Sequence, residues 1–154
     1  MIIDKIKTFE DACQALGLAI PEGLPELLQP KMADIVPSHI KAQLKLEIIV
    51  AALNEGWQWI PDGKTRGYFP WFWLFTTEGV ARMSKNEVED RHVIKATDIS
   101  EYYSGLGYAN TDYAFSDSVA YSGSRLASKN ALLAEYFGKQ FIELWKEALF
   151  IKIA

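Results

Sequence analysis

Tyr68-Phe69-Pro70-Trp71-Phe72-Trp73-Leu74-Phe75 places six aromatic residues in eight positions, and the reading of this octapeptide decides the fold. Side chains alternate between faces along a strand. Extended, the stretch sends Phe69, Trp71, Trp73 and Phe75 one way and Tyr68, Phe72 and Leu74 the other. Both sets are apolar, so the strand is covered on both sides, or covered on one and used for binding on the other. A helix is the poorer reading, because the run is short, rich in strand formers and contains Pro70. That proline donates no ladder hydrogen bond and belongs at the strand start, at a bulge or facing out from an edge. Each buried aromatic side chain contributes roughly 1.5 to 3 kcal/mol before entropy is counted. The stretch is therefore able to organise a small domain.

Just upstream, Trp57 and Trp59 share a face at a period of two, and Pro61-Asp62-Gly63-Lys64 is a turn signal. Downstream, Thr76-Thr77-Glu78-Gly79 reads as a turn leading into Val80-Ala81-Arg82-Met83. Ser84 to Asp90 reads as an exposed loop of mixed charge, and Arg91-His92-Val93-Ile94-Lys95 as a short strand. From Asp98 to Gly123 the composition changes: Tyr102, Tyr103, Tyr108, Tyr113 and Tyr121 stand among serines, glycines and acids, with no lysine or arginine. Extended, Tyr113, Phe115, Asp117, Val119 and Tyr121 share one face, and Ala114, Ser116, Ser118 and Ala120 share a face of small residues. Gly123 to Lys129 reads as the last strand.

Helices bracket this middle. Thr8 is an N-cap with Asp11 at the third helical position, Phe9, Ala12, Cys13 and Leu16 form one stripe, and Gly17 stops the helix. Ile20 to Pro37 carries four prolines and reads as turns, with one helical turn near Glu26 to Gln29. Ser38 is the next N-cap, for a central buried helix from His39 to about Asn54, stopping at Gly56. Its stripe is Ile40, Leu44, Ile48 and Ala51, widened by Leu46, Ile49, Val50 and Leu53. Asn130 caps a closing helix from Ala131 to Phe150, whose buried stripe is Leu133, Phe137, Phe141, Leu144 and Ala148. Glu135 and Lys139 are well ordered for an i,i+4 ion pair. Gly138 costs about 1 kcal/mol relative to alanine in a helix, which predicts a close crossing against the sheet at that point.

The expectation is one α+β domain over residues 1–154: a helical part to 56, an antiparallel sheet of about four to five strands over 57–129, and a C-terminal helix packed on the sheet. The net charge of −4 provides no general field for nucleic acid or anionic membrane. No apolar run reaches membrane-spanning length and the start lacks a signal-peptide hydrophobic region, so cytoplasmic residence is expected. The single cysteine, Cys13, excludes an intramolecular disulfide and a cysteine-rich zinc site, and lies on an apolar helix face. His39 and His92 lack metal-ligand spacing. Gly105-Leu106-Gly107 is not a phosphate loop, and Ser122-Gly123-Ser124 is not a nucleophile elbow. The pairs Glu87/Glu89 and Asp112/Asp117 read as solvated. No catalytic residue, metal or cofactor is therefore expected.

Several blocks resemble a family of small uncharacterised proteins from gut bacteria, their phages and other mobile elements. They are Ile6-Lys7-Thr8-Phe9-Glu10-Asp11-Ala12, Ala52-Leu53-Asn54-Glu55-Gly56-Trp57 and Tyr68-Phe69-Pro70-Trp71-Phe72. To these are added Ser124-Arg125-Leu126 with Lys129, Leu133-Ala134-Glu135-Tyr136 and Gly138-Lys139-Gln140-Phe141-Ile142. Ala127, Ser128 and Phe137 depart from the family pattern, and residues 79–100 match nothing in it. The resemblance implies a mobile-element setting and no particular chemistry.

Three binding readings follow. Trp71 and Trp73, if exposed together, form a platform for bases or sugar rings, with Arg125 supplying charge or a cation–π contact. The acidic balance disfavours nucleic acid. Tyr102, Tyr103 and Tyr108 offer a recognition surface for a protein partner. The uncovered face of an aromatic sheet also invites a second copy of the chain. The reading that best fits the sequence is a non-enzymatic accessory or assembly protein acting through such a surface; binding of single-stranded nucleic acid or glycan is the alternative.

Overall fold

The computed structural model describes residues 1–18, 37–117 and 124–153. The aromatic octapeptide is extended and makes up most of strand β1 (Arg66–Phe75). Short strand β2 (Ile94–Lys95) and long strand β3 (Gly105–Phe115) complete a three-stranded antiparallel sheet in the order β1-β3-β2. Arg66 pairs with Phe115 at one end and Phe75 with Gly105 at the other. The register slips between Trp71 and Phe72, which face Asn110 and Tyr108, leaving Ala109 as the extra residue on β3. Arg91 closes this bulge by donating from Nη1 to the carbonyls of Tyr108 (3.0 Å) and Ala109 (3.3 Å).

The sheet has fewer strands than expected. Residues 57–60 are irregular rather than extended in a ladder. Trp59 packs its indole across Gly67, where an added Cβ would lie 3.1 Å from the ring, and donates from Nε1 to the Thr65 carbonyl (2.9 Å). Packing on the strand face thus replaces pairing along its edge. The expected last strand is a 3-10 turn (Ser124–Leu126) followed by one antiparallel bridge, Ser128 to Tyr68.

Helix α1 (Ile2–Lys5) precedes α2 (Phe9–Ala15), which has the full Thr8/Asp11 capping box. Helix α3 (Ser38–Asn54) ends with Glu55 and Gly56 both at positive φ. It is central and buries the widening residues Leu46, Ile49, Val50 and Leu53 together with Ala42, whereas on the narrower expected stripe Ile40 is 48% exposed and Ala51 is exposed. Residues 77–90, expected as a turn and a loop, form α4 (Thr77–Arg82) and α5 (Lys85–Asp90). Thr76 and Ser84 accept from the amides of Gly79 and Glu87 as N-caps. The closing helix breaks at Phe141 into α6 (Ala131–Gln140) and α7 (Ile142–Leu149). There the Trp145 indole donates to the Phe137 carbonyl (3.2 Å), the acceptor an unbroken helix would offer to the Phe141 amide.

The core lies between α3 and α6–α7 on one side and the sheet on the other, with Leu46, Ile49, Leu53, Leu133, Phe137 and Trp145 at its centre. Gly138 crosses β1 as predicted: an added Cβ would lie 2.5 Å from Cβ of Pro70. No described helix is long and apolar enough to cross a membrane. The proline-rich segment and the distal half of the Tyr113–Tyr121 pattern lie outside the described residues.

Candidate functional site

Two observations fix the polarity of β1. Tyr68 exchanges both backbone hydrogen bonds with Ser128 (3.0 and 2.9 Å), while the carbonyls of Thr65 and Phe75 accept from Ser116 and Ser104, which flank β3. Even-numbered residues therefore turn their amide and carbonyl groups to the outer edge, and odd-numbered residues bond to β3. Pro70 is even-numbered, so its missing N–H faces the edge, one of the three places its chemistry allows.

The same alternation sorts the side chains. Pro70, Phe72 and Leu74 face the helices: Phe72 lies 5.5 Å from the Trp145 ring, and Leu74 joins the cluster around Leu106 and Ile142. Phe69, Trp71 and Trp73 face outward. Trp59 covers Phe69 edge-on at 5.5 Å. At the other end α4 and Val93 cover the sheet, with Val80 2.7 Å and Val93 3.2 Å from where a Cβ on Gly105 would lie. Between these covers Trp71 and Trp73 remain 55% and 60% exposed. Asn110, opposite Trp71, and Asp112, opposite Phe69, border them on β3, and both are exposed. Asp112 is oriented by the Tyr113 amide, which donates to Oδ1 (2.8 Å).

Trp71 also borders a groove of about 600 Å³ between β1 and the end of α7, lined chiefly by apolar side chains including Phe72, Leu126, Trp145 and Leu149. The exposed rings and the groove give β1 an apolar surface on its face and beside its edge.

The other candidate residues separate. Tyr102 is 80% exposed and Tyr103 is partly exposed, on a turn whose amides donate to Ser100 Oγ (3.1 Å each). Tyr108 is not with them. It is 8% exposed on the helix-facing side, its hydroxyl shares a hydrogen bond with Thr111 Oγ1 (2.8 Å), and the Lys139 ammonium lies 5.0 Å from its ring. Burial pushes its phenol pKa upward. It is a core residue, because the bulge at Ala109 resets the alternation that a regular strand would follow. Arg125 is exposed, but in the 3-10 turn rather than on a strand. The guanidinium that stacks on aromatic rings is that of Arg66, 4.9 Å from Tyr113 and 5.1 Å from Phe115. Arg66 and Asn110 carried no signal in the sequence and Asp112 read only as a solvated carboxylate, since their roles depend on the β1–β3 register.

The titratable groups with displaced pKa values are structural. Burial holds the Tyr136 phenol up at about 12, and its hydroxyl donates to the Ile6 carbonyl. Burial raises the Cys13 thiol too, away from the reactive range. Lys139 is pulled down by burial, but Glu135 (2.7 Å) and Asp90 (3.2 Å) outweigh this and raise it. Among the described residues no group of three or more histidine, cysteine, aspartate or glutamate side chains is placed to hold a metal ion. Family models, curated proteins and solved structures give no match to this chain.

Proposed function

We propose that this chain is a non-enzymatic binding module, an accessory or assembly protein of a mobile element, whose partner sits on the outward face of β1. The exposure of Trp71 and Trp73 carries this reading. Each lies one residue from core side chains, yet each leaves more than half its surface to solvent. Tryptophan is among the residues most enriched where interfaces concentrate their binding energy. The mobile-element setting rests on the block resemblance alone. A comparative capture tests the reading, with tagged parent chain and the double variant Trp71→Ala/Trp73→Ala as baits in extracts of the host cell. Proteins retained by the parent and lost by the variant are expected. Identical captures overturn the reading.

The second reading is stacking on sugar rings, favoured by Asn110 and Asp112 beside the tryptophans. An amide and a carboxylate bond hydroxyl groups well, whereas a carboxylate repels a phosphate backbone. Quenching of tryptophan emission by a soluble neutral polysaccharide, absent with single-stranded DNA and absent in the double variant, is the expected result. Quenching by DNA instead would overturn the preference for glycan.

A further inference from the structure

We propose that the edge of β1 left unpaired among the described residues pairs with itself: a second copy of the chain adds its own β1 antiparallel to the first, centred on Phe72. The proposal goes beyond the binding-face reading: it uses the same strand and assigns its edge a second copy of the chain.

Among the described residues, β1 is paired along its outer edge only where Ser128 caps Tyr68. At its other end the strand stops at Phe75, and Thr76 becomes the N-cap of α4. The open stretch is thus Phe69 to Phe75, with Phe72 at its midpoint. Backbone parity turns the amides of Phe72 and Leu74 and the carbonyls of Pro70, Phe72 and Leu74 to this edge. None of them has a backbone partner among the described residues.

A two-fold axis through Phe72 makes this set self-complementary. Phe72 exchanges two hydrogen bonds with its symmetry mate, and each Leu74 amide donates to the other copy's Pro70 carbonyl. Pro70 needs no N–H for these bonds; its ring costs only the two that its own amide would have donated. Natural edge strands are usually protected by charged side chains. Here no charged residue lies between Arg66 and Glu78, so no charge on the open stretch Phe69 to Phe75 repels its copy.

The same axis places Trp71 of each copy opposite Trp73 of the other, in positions without direct hydrogen bonds, where cross-strand side chains come closest. A tryptophan buries up to roughly 250 Å², so at their observed exposures the four rings offer about 600 Å². The strand edges add to this, and the interface falls at or below the lower bound of specific interfaces, about 1,200 Å² in total. Association is therefore weak and concentration-dependent. It is also insensitive to salt, since no charge pair joins the two strands.

The test combines mass with register. Light scattering after size exclusion should show the mass rising from 17.4 kDa toward twice that value as concentration increases. Trp71→Cys and Trp73→Cys variants, mixed and mildly oxidised, should form a disulfide-linked dimer, whereas either alone should link far less. Cys13 is buried and does not compete. A monomeric mass at every concentration with no cross-link in the mixture overturns the proposal, as does equal linking in either variant alone. A monomer whose parent chain still captures proteins lost by the double-alanine variant removes self-pairing and leaves the binding-face reading standing. Cross-linking in the stated register with identical captures does the reverse.

Discussion

Gly138 shows how a single missing methyl group sets the distance between helix and sheet. In a free helix, alanine at this position would gain about 1 kcal/mol over glycine. Here its Cβ would meet the Pro70 ring at 2.5 Å, and that ring belongs to a strand held by β3. Overpacking of this kind costs about 1 to 3 kcal/mol, so Gly138→Ala is expected to lower the thermal midpoint despite its better helix propensity. A raised midpoint would mean that α6 shifts freely over β1. Asp62 acts on the opposite end of the sheet. Its carboxylate accepts from the amides of Thr65 (2.7 Å) and Lys64 (2.8 Å) and from the Thr65 and Ser116 hydroxyls, which hold its pKa well below the ordinary carboxylate range. On acidification the unfolded chain takes up the proton first. The contribution is thus present above the unfolded value of about 3.9 and is lost as pH falls toward the folded pKa. Urea melts should show the parent ahead of Asp62→Asn at pH 7, with the gap narrowing at about pH 3 as this linkage requires. A gap that does not change with pH would contradict it.

Among the elements, the end of α3 is tied to the segment that bridges the β1 edge by the Asn54 side chain and by Lys129, whose ammonium reaches the Glu55 carboxylate (2.8 Å). Asn54 is buried, donating from Nδ2 to the Ala127 carbonyl (2.8 Å) and accepting the Lys129 amide on Oδ1 (3.0 Å). Asn54→Ala leaves both backbone groups without their partner and should cost about 2 kcal/mol in chemical denaturation; a loss near zero would show that water replaces the clamp. Elements whose signals are local were legible in the sequence: the Thr8/Asp11 capping box, the stop of α3 at Gly56, the extended octapeptide and the crossing at Gly138. Elements decided by tertiary packing were not. The second half of α3 is apolar nearly all round, so periodicity could not choose its buried face. The break at Phe141 has no glycine or proline to mark it and follows from the Trp145 indole reaching back to Phe137. Residues 76–79 and 84–90 read as a turn and a loop because the six-residue helices that start after Thr76 and Ser84 are shorter than a periodic pattern can reveal. At the site, the exposure of Trp71 and Trp73 and the burial of Tyr108 depend on which neighbours cover the sheet and on the bulge at Ala109. Composition carries neither.

For the molecule as a whole, the arrangement divides β1 between two tasks. Its Phe72 and Leu74 side chains pack on the core and Pro70 meets α6 at Gly138, while Trp71 and Trp73 are left in solvent between the covers supplied by Trp59 and by α4. The binding surface and the centre of stability thus share one strand, separated only by the alternation of its side chains. Chemical denaturation of Trp71→Ala/Trp73→Ala at low protein concentration, beside the parent and Phe72→Ala, tests that division most directly. The double variant is expected to unfold within about 1 kcal/mol of the parent, as exposed substitutions do, while Phe72→Ala between them loses much more. If removing the two indoles instead costs the several kcal/mol typical of buried tryptophans, about 3 to 5 each, then both rings belong to the core and the strand has no outward face to offer.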